Sequence, residues 1–201
     1  MICINIKTLK KHNDSIVNIL LINNNILISA SRDKILYFWN IEDFSIKGNI
    51  ENELTKICNE IQNVIDQYLI PNATDAETKV FFLKLKGDYF RYKCEYAVGN
   101  DFDAATAKSE EAYKEAYAIA EKEIPISNST RLGLALNFSV FYYEIKNMKE
   151  EACNIAKNAF EEAMKVLDDL EKVKAKDTLL IIQLLKENLI LWNNEMTEDE
   201  Q

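Results

Sequence analysis

The chain has 201 residues, 48% hydrophobic and 28% charged, the composition of an ordinary soluble globular protein. Its net charge of −9 argues against nucleic acid as the main partner. With only 4 Gly and 2 Pro, the strongest helix breakers, the chain is expected to be built mainly from helices.

The charge is unevenly spread. Residues 1–49 hold six Lys/Arg against four Asp/Glu, whereas the remainder holds eighteen against twenty-nine. An acidic body of this kind attracts basic peptides, and takes phosphorylated ones only through a local cationic pocket. Cys3, Cys58, Cys94 and Cys153 are isolated and His12 is the sole histidine, so no metal site and no cofactor is expected. Buried free thiols fit a reducing cytoplasm. The first residues lack the order of a signal peptide. The uncharged run at 15–31 is broken by Asn23, Asn24 and Asn25, which argues against a membrane span.

Residues 1–49 are β-like. Runs at 16–22, 26–28 and 35–39 are rich in β-branched and aromatic residues. The three asparagines separate the first two runs, and a turn-like 31–34 precedes the third. About three strands of a meander are predicted. His12, the 29–33 stretch SASRD and the pair Trp39-Asn40 resemble one WD-repeat blade over about 8–47. A lone blade does not bury both faces, so a working propeller is excluded. From Glu53 the period becomes helical. Leu54, Ile57, Ile61, Val64, Ile65 and Tyr68 lie on one face of a helix ending near Pro71. Thr74 and Glu77 form a capping box for a second helix, to about Val98, with Gly99 as its stop. Further helices are predicted at about 102–122, 129–146, 149–168 and 177–194, followed by a disordered acidic tail at 195–201. The fold class is therefore all-α, an antiparallel array of about six helices over 50–194, preceded by a small β-meander at 1–49.

The second helix carries an unusual stripe. Lys84, Asp88, Arg91, Tyr92 and Glu95 share one face of a helix that also holds Phe81, Phe82, Leu85 and Phe90. Such a helix has little freely solvated surface, so the polar stripe is expected to face a groove or a partner helix. Asn137 and Asn188, set in apolar helices, are also notable, because a buried amide must find partners. No nucleophile–histidine pair or Gly-rich phosphate loop is present, so an enzyme is not expected.

Four stretches carry a resemblance: LIPNA at 69–73, KLKGDYFRY at 84–92, RLGLALNFSVFYYE at 131–144 and QLLKENLILW at 183–192. In order and spacing, residues from about 50 to 194 resemble the C-terminal two-thirds of 14-3-3 proteins, here lacking the family's N-terminal helices. Those proteins are dimeric adaptors that bind phosphoserine and phosphothreonine peptides in an amphipathic groove. The resemblance implies that Arg91 and Tyr92 contact phosphate, with Lys84 adding positive charge. A guanidinium suits this task because it donates two parallel charge-assisted hydrogen bonds. It implies that Asn137 and Asn188 hold peptide backbone and that Glu144 orients groove groups. Leu136, Val140, Leu180, Ile181, Leu184 and Trp192 then form an apolar wall. Asp88 and Glu95 hold the basic groups in place. The partners implied are phosphorylated client proteins, with neither nucleic acid nor membrane.

The family begins with three further helices and the start of a fourth, where this chain has its β-like segment. The resemblance therefore implies an incomplete phosphate pocket, a family dimer interface largely absent, monomeric or irregular association, and exposed apolar surface. Two alternatives to a phosphopeptide adaptor stand beside it: a helical scaffold that binds partners without phosphate, and a misassembled gene product without function.

Overall fold

A computed structural model describes residues 16–23, 26–31, 36–40, 46–166 and 175–199. His12, residues 24–25 and 32–34 where turns are expected, and residues 172–174 lie outside the described residues. Two units divide the chain, Met1–Asn59 and Glu60–Gln201.

The first unit contains a four-stranded antiparallel sheet in the order β1-β2-β3-β4. Its strands are β1 (Ile16–Asn23), β2 (Ile26–Ser31), β3 (Leu36–Asn40) and β4 (Ile46–Asn49). Three of them match the sequence expectation. The fourth was not expected, because IKGN is short and carries Gly48, a poor strand former. It pairs with β3 through Phe38↔Gly48 and Trp39↔Ile46. Period-two alternation puts Tyr37 and Trp39 on one buried face, with ring centroids 5.8 Å apart. The Trp39 indole N–H donates to the Ser29 hydroxyl at 2.8 Å, so the polar atom of this buried ring is satisfied.

The helices are α1 (Ile50–Val64), α2 (Ala76–Cys94), α3 (Asn100–Glu123), α4 (Ser129–Val140), α5 (Lys149–Lys165) and α6 (Ala175–Asp199). They form the antiparallel all-α array expected from the sequence. Two helices end differently from a plain α-helix. Both α1 and α4 continue into one π-helical turn, Ile65–Leu69 and Phe141–Ile145. The second of these turns carries the buried Phe141 and Tyr142 and brings Tyr143 against α6. Wider winding of this kind lets consecutive side chains reach inward together.

Three boundary expectations need correction. Helix α2 is capped by Asp75, not Thr74. The Asp75 carboxylate accepts from the Thr78 backbone N–H at 2.8 Å and the Thr78 hydroxyl at 2.8 Å. Adjacent residues can each serve as a cap, and the one with two donors three positions on prevails. Gly99 does not end α2, which stops at Cys94. It stands before α3 at φ +57°, a backbone that other residues reach only with strain. Helix α6 continues through Met196 to Asp199, where a disordered tail was expected.

The helical core depends on small residues at helical spacing. Ala152, Ala156, Ala159 and Ala163 line one buried face of α5, and Ala105, Ser109, Ala112, Ala116 and Ala120 do so on α3. Against them pack Tyr113, Leu132, Leu134, Phe138, Phe141, Ile182 and Leu185. At the edge of this core, Glu110 on α3 accepts from Lys114 at 2.7 Å and Lys146 at 2.8 Å, and from the Tyr142 hydroxyl at 3.2 Å. Burial raises the pKa of this carboxyl, but the hydrogen bonds and charges of the two lysines outweigh it and bring it to about 2.

That shift fixes a direction for acid stability. Because the folded pKa lies below the ordinary 4.5, the stabilisation is complete above about pH 4.5 and is lost as pH falls towards 2. Glu110→Gln is expected to remove on the order of 1 kcal/mol of stability near neutral pH, a value discounted for solvent screening. It should also flatten the loss of stability between pH 4.5 and 2, as measured by urea unfolding across that range.

Candidate functional site

Asp88 is the centre of the polar stripe on α2. It is 4% exposed, and a carboxylate so buried requires partners. Lys84, one turn earlier, places its Nζ 2.7 Å from Oδ2. The Tyr113 hydroxyl of α3 donates to Oδ1 at 2.6 Å, and Nδ2 of Asn137 on α4 donates to the same oxygen at 2.8 Å. Two residues expected to act on a ligand, Lys84 and Asn137, are thus joined through a third. Burial, with the Asp88 charge beside it, pushes the Tyr113 phenol far above its usual range, so this hydroxyl remains a donor.

Arg91 lies one turn beyond Asp88. Its side chain is 12% exposed, and Nη1 stands 3.8 Å from Glu95. The guanidinium carbon lies 4.7 Å from the centroid of the Tyr92 ring, within cation–π range. The Nε of Arg91 is buried and has no hydrogen-bond partner among the described residues. Burial works against the charge of Arg91, but Tyr113, Asp88 and Tyr92 outweigh it and raise its pKa. A fixed, partly desolvated cation binds anions more strongly than a mobile surface lysine. Tyr92 itself is exposed.

Helices α4 and α6 form the rest of the surroundings. A Cβ placed on Gly133, one turn before Asn137, would meet Lys84 Cε and Ile181 Cδ1 at 3.8 Å each. Lys84, Gly133 and Ile181 therefore converge from α2, α4 and α6. Leu136 and Val140 are half-buried against the core, and Glu144 is exposed. On α6, Leu180 and Leu184 are exposed while Asn188 is half-buried. Trp192 lies inside: it is 4% exposed and stacks on Tyr143 with centroids 4.5 Å apart and planes 10° apart. The Tyr143 hydroxyl also donates to Glu195 of α6. Thus Trp192 anchors α6, and the neighbouring Leu191 stands on its surface.

Leu191 is exposed and continues the row of Leu180 and Leu184 at i+11 and i+7. That spacing was visible in the sequence. Tyr113 carries no local sequence signal that marks its hydroxyl. Among the described residues, no group of three or more His, Cys, Asp or Glu is placed to hold a metal ion. No described helix is long and apolar enough to cross a membrane.

The family model described as 14-3-3 protein matches residues 40–193. The chain belongs to the 14-3-3 family. The 14-3-3 protein beta/alpha of Homo sapiens is 54% identical over 154 residues, covering 77% of this chain and 63% of that protein. The beta/alpha protein of Gallus gallus gives the same identity and coverage. Protein BMH1 of Saccharomyces cerevisiae is 52% identical over 157 residues, covering 78% of this chain and 59% of that protein. The chain thus spans less than two-thirds of these 14-3-3 relatives. Residues 1–39 fall outside the family match, so it lends nothing to the WD-repeat resemblance.

The Asp88 junction has a measurable consequence. Asp88→Ala leaves the Lys84 ammonium, the Tyr113 hydroxyl and the Asn137 amide without their common acceptor. A loss of about 3 kcal/mol is expected, the scale for breaking a buried, hydrogen-bonded ion pair. Urea unfolding checks it: a change below about 1 kcal/mol would rank Asp88 with ordinary surface ion pairs.

Proposed function

We propose that this chain is an adaptor that binds phosphoserine- or phosphothreonine-containing peptides between α2, α4 and α6. The observation that carries the reading is the placement of Arg91: a partly buried guanidinium with an unsatisfied donor, one turn from the Lys84–Asp88–Asn137 junction. In this reading Arg91 and Tyr92 contact phosphate and Lys84 adds charge. Asn137 and Asn188 hold peptide backbone, and Glu144 orients neighbouring groups. Leu136, Val140, Leu180, Ile181 and Leu184 face the apolar side chains of the ligand, with Trp192 supporting them from behind. The cations supplied by α2 form a pocket of few charges, so affinity is modest and varies strongly with salt. Family membership supports the adaptor role, and phosphorylated client proteins are the partners it points to.

A scaffold that needs no phosphate is the competing reading, and one observation favours it. An apolar groove of about 240 Å³ runs along Ile61, Val64, Ile65, Leu69, Leu85 and Tyr89, beside the exposed Tyr68. Exposed apolar surface of this kind serves protein contacts. For the N-terminal sheet, the four-strand meander and the Ser29–Trp39 hydrogen bond support the blade-like reading of residues 8–47.

A pair of peptides differing only in one phosphate separates the two readings. The phosphorylated form is expected to bind more tightly by about 10- to 100-fold, the equivalent of about 1.5–3 kcal/mol for a charge-assisted contact. Arg91→Ala is expected to abolish that difference and to leave the unphosphorylated peptide unaffected. Equal binding of both peptides to the unmodified chain, read by fluorescence anisotropy, would support the scaffold instead.

A further inference from the structure

The hydroxyl of Tyr113 is held with unusual firmness. Its ring is fully buried and lies directly on the backbone of α2 at Gly87, where an added Cβ would come within 2.8 Å of ring atoms Cδ1 and Cε1. The helix accepts a glycine here, at a cost of about 1 kcal/mol against alanine, because no larger residue leaves room for the ring. Ser109, one turn earlier on α3, donates to the Gly87 carbonyl at 2.9 Å and fixes the two helices in register. Phe138 and Phe141 close the other sides of the ring, with centroids 5.4 Å and 5.6 Å away. Sliding or rotation of the phenol is blocked, so its oxygen stays 2.6 Å from Oδ1 of Asp88.

Helical spacing places Arg91 three residues after Asp88, where a direct ion pair between them is the ordinary outcome. The carboxylate is instead filled from elsewhere: Oδ2 by Lys84, and Oδ1 by Tyr113 and Asn137. Among the described residues, the ion pair of Arg91 within the usual range is with Glu95, at 3.8 Å. Tyr113 also stands first among the groups that raise the pKa of Arg91.

We infer that Tyr113 is a positioning residue for phosphate recognition: its hydroxyl occupies the Asp88 oxygen that would otherwise pair with Arg91, and so keeps the guanidinium charge available to a ligand. This rests on the phosphopeptide reading above. Tyr113 does not touch the ligand. It acts through Asp88.

The test uses the full chain and the same peptide pair. Tyr113→Phe keeps the ring and removes the hydroxyl. The phosphorylated peptide should bind about 5- to 10-fold more weakly, while the unphosphorylated one is unchanged. A merely structural role would lower the melting temperature and leave the ratio of the two affinities intact. The chain has three arginines, Arg32, Arg91 and Arg131, so the Arg91 Nε–H resonance can be followed by nitrogen-15 NMR. In the unmodified chain, phosphopeptide should shift this resonance and the Tyr113 ring signals together, a readout that stands even where a variant does not fold. Full preference retained in Tyr113→Phe, or Tyr113 signals that stay still on phosphopeptide binding, would each overturn the role of Tyr113. Equal binding of both peptides to the unmodified chain would overturn the phosphopeptide reading itself, and this inference with it.

Discussion

One buried carboxylate holds the candidate groove together. Asp88 takes a lysine from its own helix, a phenol from α3 and an amide from α4, all within 2.6–2.8 Å. Left bare in the interior, such a charge would be strongly destabilising, so the three donors are bound to their places as firmly as Asp88 is bound to its own. The junction fixes where Lys84 and Asn137 stand before any ligand arrives. Arg91, the next cation along the helix, stands 3.8 Å from Glu95. Preorganisation of this kind lowers the cost of binding, because the groups need not be ordered afresh.

The remainder of the helical unit supports that arrangement. Alanine stripes on α3 and α5 let helices approach closely, and the aromatic cluster of Tyr113, Phe138, Phe141 and Tyr142 fills the space between them. The π-helical turn at the end of α4 sends Tyr142 towards Glu110 and Tyr143 towards Trp192. Through the second of these contacts α6 is pinned, and its row of Leu180, Leu184 and Leu191 is left on the surface. Packing and exposure on α6 are therefore two sides of one helix orientation.

The helices were legible because their apolar residues recur at helical spacing over long runs. The fourth strand was not, because four residues containing Gly48 carry no period. Cap assignments slipped by one residue where Thr74 and Asp75 offer alternatives, and Gly99 was read as a stop when it begins the next helix. At the site, the polar stripe of α2 was visible in the sequence, and matching stretches gave Asn137 and the α6 residues their roles. What linked them was hidden. Tyr113 lies 25 residues from Asp88, on a buried face lined mainly by alanines. Only the close approach of α2 and α3 at Gly87 brings its hydroxyl to the carboxylate. The inward position of Trp192 was hidden for a similar reason, since it follows from the π-helical turn of another helix.

The most direct measurement is calorimetric titration of the unmodified chain with one phosphoserine peptide at two salt concentrations, beside its unphosphorylated form. A groove built on preset cations gives tighter binding of the phosphorylated peptide and a preference that shrinks as salt rises. Equal affinities at both salt concentrations would contradict it.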